Sequence, residues 1–172
     1  ITGKGGNDNL TGGAGNDTFN VDAGTDTITD LSTGDILVVS SSATANATNI
    51  SSFVATSSTT NAGTANLSTQ ASGGTINMSS AGSSTTFSLT GGNGADNLTG
   101  DGGDDTITGG GGADNLTGGA GNDKYIYSQT SEAASGEVIN DTGGTNDAIQ
   151  LTGNVDFSNM ADSNFDNIEK II

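Results

Sequence analysis

The chain has 172 residues and a formal net charge of −17, with three cations (Lys4, Lys124 and Lys170) against twenty acidic residues and no Cys, Trp, Pro, His or Arg. That balance argues against nucleic acid and anionic membrane surfaces, which would repel it, and for cations as partners. The longest apolar run, Ile36–Leu37–Val38–Val39, is far too short to insert into a membrane, and without Cys there is no disulfide framework.

The first segment, residues 1–39, opens on a nine-residue repeat: GKGGNDNLT (3–11), GGAGNDTFN (12–20) and a worn copy, VDAGTDTIT (21–29). A tail follows, TDLSTGDILVV (29–39), in which Asp30, a glycine turn and Asp35 precede an alternating apolar strand. Residues 40–90 are uncharged and rich in Ser, Thr, Ala and Asn; the charge-free stretch as a whole runs from Ile36 to Ala95. Its short alternating runs, such as TINMS (75–79) and TTFSLT (85–90), place apolar groups on one strand face. They predict further β coils or a small sandwich without metal, with a flexible Ser/Thr linker as the alternative. The repeat returns in residues 91–152 as GGNGADNLT, GDGGDDTIT, GGGGADNLT and GGAGNDKYI, and ends in a second tail, NDTGGTNDAIQL (140–151). Between them, residues 127–139 read as a loop with one helical turn. Tyr125 and Tyr127 read as a cap over the final coil. Residues 153–172 are expected to cover a flank and lead into a last strand. Joined head to tail, the two ends read IEKIIITGKGGNDN, which fits one unit of a tandem array or an arbitrary boundary.

Across all seven units, place six is Asp (Asp8, Asp17, Asp26, Asp96, Asp105, Asp114, Asp123). Place eight is a large hydrophobe (Leu10, Phe19, Ile28, Leu98, Ile107, Leu116, Tyr125), and place four is Gly. Each unit divides into a six-residue glycine loop and a three-residue strand whose middle residue points inward. Two units make a coil of eighteen residues, so loops one coil apart stack at ~4.8 Å. Stacked carboxylates repel unless a cation lies between them. Calcium suits the gap, because it takes six to eight oxygens from carboxylates and backbone carbonyls in flexible geometry. Glycine supplies the backbone angles that turn carbonyls toward the ion. Candidate ligands are therefore the seven place-six carboxylates. To these are added the place-one and place-three backbones of Gly3 and Gly5, Gly12 and Ala14, Gly91 and Asn93, Gly100 and Gly102, Gly109 and Gly111, and Gly118 and Ala120. The tail residues Asp30, Asp35, Asp141 and Asp147 are expected to complete half-sites, or else to lie in plain surface turns. Loops 3–8 and 21–26, 12–17 and 30–35, 91–96 and 109–114, and 100–105 and 118–123 are expected to pair.

The pattern G-G-x-G-x-D-x-U-x resembles the calcium-binding nonapeptide of RTX (repeats-in-toxin) proteins over residues 3–29 and 91–126. Lys4 and Asp101 replace the second glycine, and Val21 and Asp22 the first two of the worn copy. The resemblance implies an all-β fold, a parallel β-roll or calcium-binding β-solenoid, here in two blocks separated by the Ser/Thr-rich β segment. It also implies calcium in the loops and export by a type I system to the cell surface or medium. A disordered linker would not keep a hydrophobe at place eight seven times. A phosphate loop would need Gly-Lys-Ser/Thr, and an EF-hand its bidentate Glu.

With no His, Cys or Arg, few general bases or nucleophiles exist, so a non-catalytic reading leads. It is an extracellular structural unit of a surface layer, adhesin or filament that folds on calcium and meets copies of itself. The alternative is the RTX portion of a secreted enzyme whose catalytic domain lies outside these residues. Ice binding through a loop row of Thr fails, because place three carries Gly, Ala and Asn.

Overall fold

A computed structural model of the protein describes residues 1–82 and 84–172. The short strands follow from the repeat. In Asn97–Thr99 the central Leu98 is fully buried while Asn97 is exposed, and Asn115–Thr117 repeats the arrangement around Leu116. A three-residue strand with one apolar position is stable only when the next coil covers it, so every pairing between strands is parallel and comes from the adjacent turn of one winding. Leu10 lies on Ile28, Leu98 on Leu116 and Ile107 on Tyr125, eighteen residues apart as the period requires.

One face of this β-solenoid is a nine-stranded sheet. It is built in chain order from Asn9–Leu10, Gly24–Ile28, Ala43–Ile50, Thr64–Thr69, Phe87–Thr90, Thr106–Thr108, Lys124–Tyr127, Ala148–Leu151 and Lys170–Ile171. The opposing side is a six-stranded sheet that begins at Ser52–Val54 and ends at Phe165–Asp166. A three-stranded sheet of Thr18–Val21, Ile36–Val39 and Thr60–Asn61 completes the fold. Between the faces run columns of stacked side chains. One passes from Phe53 through Ile76, Leu98, Leu116 and Ile139 to Phe165. No helix among the described residues is long and apolar enough to cross a membrane.

The uncharged segment takes the first of its two expected forms. Its strands are further coils in the middle of the solenoid, shared among the three sheets, and among the described residues no linker or sandwich interrupts the winding. The reason lies in the register. Asp26 stacks on Ala45, Ala45 on Ala65 and Ala65 on Phe87, and all four are buried. The column that carries aspartates in the repeats is filled here by apolar groups, which stack without a counter-charge.

The two tyrosines correct an expectation. Both are fully buried, but they do not close the solenoid, because Ile149 and Leu151 of the next coil lie directly on Tyr125 and Tyr127. Residues 130–132 form a short 3-10 turn, and Phe157 packs edge-on against Tyr127 and Phe165 with ring centroids 5.3 and 5.7 Å apart.

Candidate metal centres

Each stacked pair of loops is joined by one carboxylate oxygen. Oδ1 of the place-six aspartate accepts the backbone N–H of its counterpart one coil earlier: Asp26 from Asp8 at 3.0 Å, Asp35 from Asp17 at 2.9 Å, Asp114 from Asp96 at 2.8 Å and Asp123 from Asp105 at 2.7 Å. The four expected loop pairs therefore meet. The same ladder runs on past the repeats. Glu137 accepts from Asp114 at 2.8 Å, Asp147 from Asp123 at 2.6 Å, and Glu169 from Asp147 at 2.7 Å.

Sequence reasoning missed Glu137 and Glu169. A signal for them exists: Glu137-Val-Ile139 and Glu169-Lys-Ile171 keep the acid and hydrophobe two apart, as places six and eight do. Their coils are longer than eighteen residues, 23 for Asp114 to Glu137 and 22 for Asp147 to Glu169, so a strict nine-residue frame passes over them.

The other oxygen of each carboxylate has a different fate. Oδ2 of Asp8, Asp17, Asp26, Asp114, Asp123 and Asp147 is buried with no hydrogen-bond partner, and so is Oδ2 of Asp101. An orphaned carboxylate oxygen costs several kcal/mol unless a positive charge meets it. Asp96, Asp105 and Asp35 are better provided, since their Oδ2 atoms accept from the backbones of Gly92 (2.8 Å), Asp101 (2.9 Å) and Ser32 (2.8 Å). Burial, with smaller contributions from neighbouring acids, pushes Asp105, Asp114 and Asp123 up to about 7 and Glu137 up to about 8. Asp101 and Asp147 are raised by burial as well.

The place-one glycines keep space beside these oxygens. A Cβ on Gly12 would lie 2.6 Å from Asp17 Oδ2, one on Gly91 2.7 Å from Asp96 Oδ2, and one on Gly109 2.5 Å from Asp114 Oδ2. On Gly3, Gly100 and Gly118 it would press still closer on Asp26, Asp105 and Asp123. The place-three residues Gly5, Ala14, Asn93, Gly102 and Ala120 are exposed at the loop tips, and Gly111 is half-buried. Three of them bond the coil before: Asn93 donates to the Ala71 carbonyl at 3.0 Å, Gly111 to the Gly92 carbonyl at 2.9 Å and Ala120 to the Asp101 carbonyl at 3.0 Å. Place two is left-handed at Gly13, Gly110 and Gly119, and Lys4 adopts the same region with φ of 66°.

The tail acids divide. Asp30 spends both oxygens on the N–H groups of Gly12 (3.0 Å) and Gly13 (2.7 Å). Asp141 accepts from the Tyr125 hydroxyl at 2.8 Å and lies with Asp123 and Asp147 so that one oxygen of each falls within 4.8 Å of the others.

Oxygen-only donors, orphaned carboxylates on stacked loops and room kept by glycine define a β-solenoid suited to a hard cation such as calcium. Residues 1–28 and 90–125 match the family model of the RTX calcium-binding nonapeptide repeat, in four copies. These matched residues are similar to RTX repeats, and the solenoid of which they are part is a parallel β-roll. Neither a curated protein nor a solved structure matches the chain.

Proposed function

We propose that the protein is a non-catalytic, extracellular calcium-binding β-roll module, a structural unit of a surface layer, adhesin or filament, that completes its fold on calcium after secretion. The observation that carries this reading is the set of buried, partnerless Oδ2 atoms on stacked place-six aspartates. Bound calcium would supply the missing positive charge and draw in loop carbonyls as further oxygen ligands. The pairs Asp8/Asp26, Asp17/Asp35, Asp96/Asp114 and Asp105/Asp123 would hold it, with the place-one and place-three backbones lining each loop.

The energetics favour a switch. One buried hydrophobe per nine ordered residues leaves the repeats short of stability, and no disulfide compensates. With a dissociation constant of ~0.1 mM, millimolar calcium adds about 1.4 kcal/mol per site, and the contribution vanishes at submicromolar levels. Self-association is part of the reading. An apolar groove lined by Phe157, Phe165 and Ile168 is the surface that a neighbouring copy would cover.

Hydrogen exchange with and without calcium tests the proposal. Amides of residues 3–29 and 91–126 should gain protection on calcium, and light scattering should report association in calcium alone. Equal protection of both blocks in excess chelator would end the reading.

A further inference from the structure

Resting on the calcium-roll reading, we propose that Asp123, Asp141 and Asp147 form a further cation site made of side-chain carboxylates, which shares Asp123 with the Asp105/Asp123 loop pair and is tighter than the other nonapeptide loop sites. Only Asp123 lies within the residues matched to the repeat family. The three are 1%, 1% and 0% exposed, and one oxygen from each lies within 4.8 Å of the other two. Oδ2 of Asp123 and of Asp147 has no partner. The remaining contacts are accounted for. Asp123 Oδ1 takes the Asp105 N–H and Asp147 Oδ1 the Asp123 N–H. Asp141 accepts from the Tyr125 hydroxyl and, at 3.2 Å, from the Gly143 N–H. None of these donors carries charge. Lys170, in register with Ala148 beside Asp147, bonds Asn146 Oδ1 at 2.9 Å instead.

Three carboxylate oxygens converge here, the one such group of three among the described residues. More ligand charge raises affinity for hard cations. The segment above the cluster, 142–146, is exposed apart from half-buried Gly143, and gives a path for entry. Gly144, left-handed with φ of 104°, leaves the Asp147 carboxylate clear, since a Cβ there would come within 2.5 Å of Oδ2. Tyr125 spans the interior to reach Asp141, so the phenol sits against the site. Tyr127, the other tyrosine, donates to Glu137 at 2.8 Å on a different ladder.

Terbium, a trivalent stand-in for calcium, reads this geometry directly, because its emission is sensitised by a phenol within a few ångström. The chain has no Trp, so excitation at the tyrosine band reports Tyr125 and Tyr127 alone. On the intact protein, the first equivalent of terbium should give sensitised emission that Tyr125→Phe removes and Tyr127→Phe leaves. Asp141→Asn should weaken that first equivalent tenfold or more, while Asp17→Asn should not. Tyr125→Phe keeps every carboxylate, so it remains informative if Asp141→Asn fails to fold. Emission from the first equivalent that survives Tyr125→Phe, or a binding curve unchanged by Asp141→Asn, overturns the proposal. Loss of the Asp17/Asp35 loop site in Asp17→Asn with the first equivalent intact would leave it standing, which separates it from the calcium-roll reading.

Discussion

Protons and calcium compete for the same buried oxygens, so acid should stand in for the metal in holding the coils together. Asp105, Asp114 and Asp123 rise from an ordinary 3.8 to about 7 in the folded protein, and Glu137 from 4.5 to about 8, chiefly through burial. A carboxyl whose folded value is raised keeps its proton in the fold while the unfolded chain has lost it. Its contribution to the metal-free fold is complete below the unfolded value and is lost as pH climbs through the folded one. Three units correspond to about 4 kcal/mol for one group at most, and water at the loop edges reduces that to about 1–3 kcal/mol each. The four groups share neighbours and do not simply add, yet together they are comparable to the stability of an ordinary domain, about 5–15 kcal/mol. The assay is a series of thermal melts in excess chelator, followed by circular dichroism between about pH 4 and pH 8.5. The melting temperature should be highest near the acid end, fall progressively from about pH 4 to about pH 7 and level off by about pH 8, and millimolar calcium at the alkaline end should restore it. A metal-free protein more stable at about pH 8 than at about pH 4.5 would refute the reasoning, because the buried carboxylates would then be ionised without penalty.

Two substitutions probe the roles assigned to single positions. Gly118→Ala drives a methyl against Asp123 Oδ2, so titration calorimetry should show calcium affinity at that loop falling by at least about tenfold. Gly13→Ala, at φ of 93° with open space around the added carbon, should cost only about 1 kcal/mol of backbone strain and leave the number of bound ions unchanged. Ala45→Asp extends the acid column of Asp26 into a coil packed for an apolar group. Chemical denaturation should show it destabilising the protein by several kcal/mol, as a buried unpaired charge does, and calcium should recover little of the loss, because no glycine loop surrounds the new acid.

The fold of the repeats was legible because period, glycine and place-eight hydrophobe all state the same coil. Asp8 and Asp26 could be paired from arithmetic alone, since eighteen residues return the chain to the same corner. The frame breaks where coil length changes. Glu137 and Glu169 do the work of a place-six aspartate, but 23 and 22 residues from their partners, and only the acid-x-hydrophobe spacing betrays them. Tyr125 was readable as core and unreadable as a bridge. That its hydroxyl reaches Asp141 depends on the width of the coil interior, which no local pattern reports. Asp30 shows a contact that the sequence does not report: beside its glycine turn, both its oxygens accept from the amides of Gly12 and Gly13 one coil earlier.

The same geometric column explains why the middle of the chain carries no charge at all. From Asp8 and Asp26 it passes to Ala45, Ala65 and Phe87, and then returns to acids at Asp105, Asp123, Asp147 and Glu169. Phe87 marks the junction, giving its side chain to the core and its N–H to Asp105 Oδ1 at 2.7 Å. Apolar groups at this column gain by stacking, and acids lose by it until a cation arrives. The winding is therefore made of coils with two different requirements, joined by one continuous sheet. A charge in the middle would impose a calcium demand where no glycine loop is present to meet it, and an alanine in the blocks would remove the demand together with the ligand. On the calcium reading, the stacked acids of this column mark the coils that would take metal, and the apolar stretch between them marks the coils that would not.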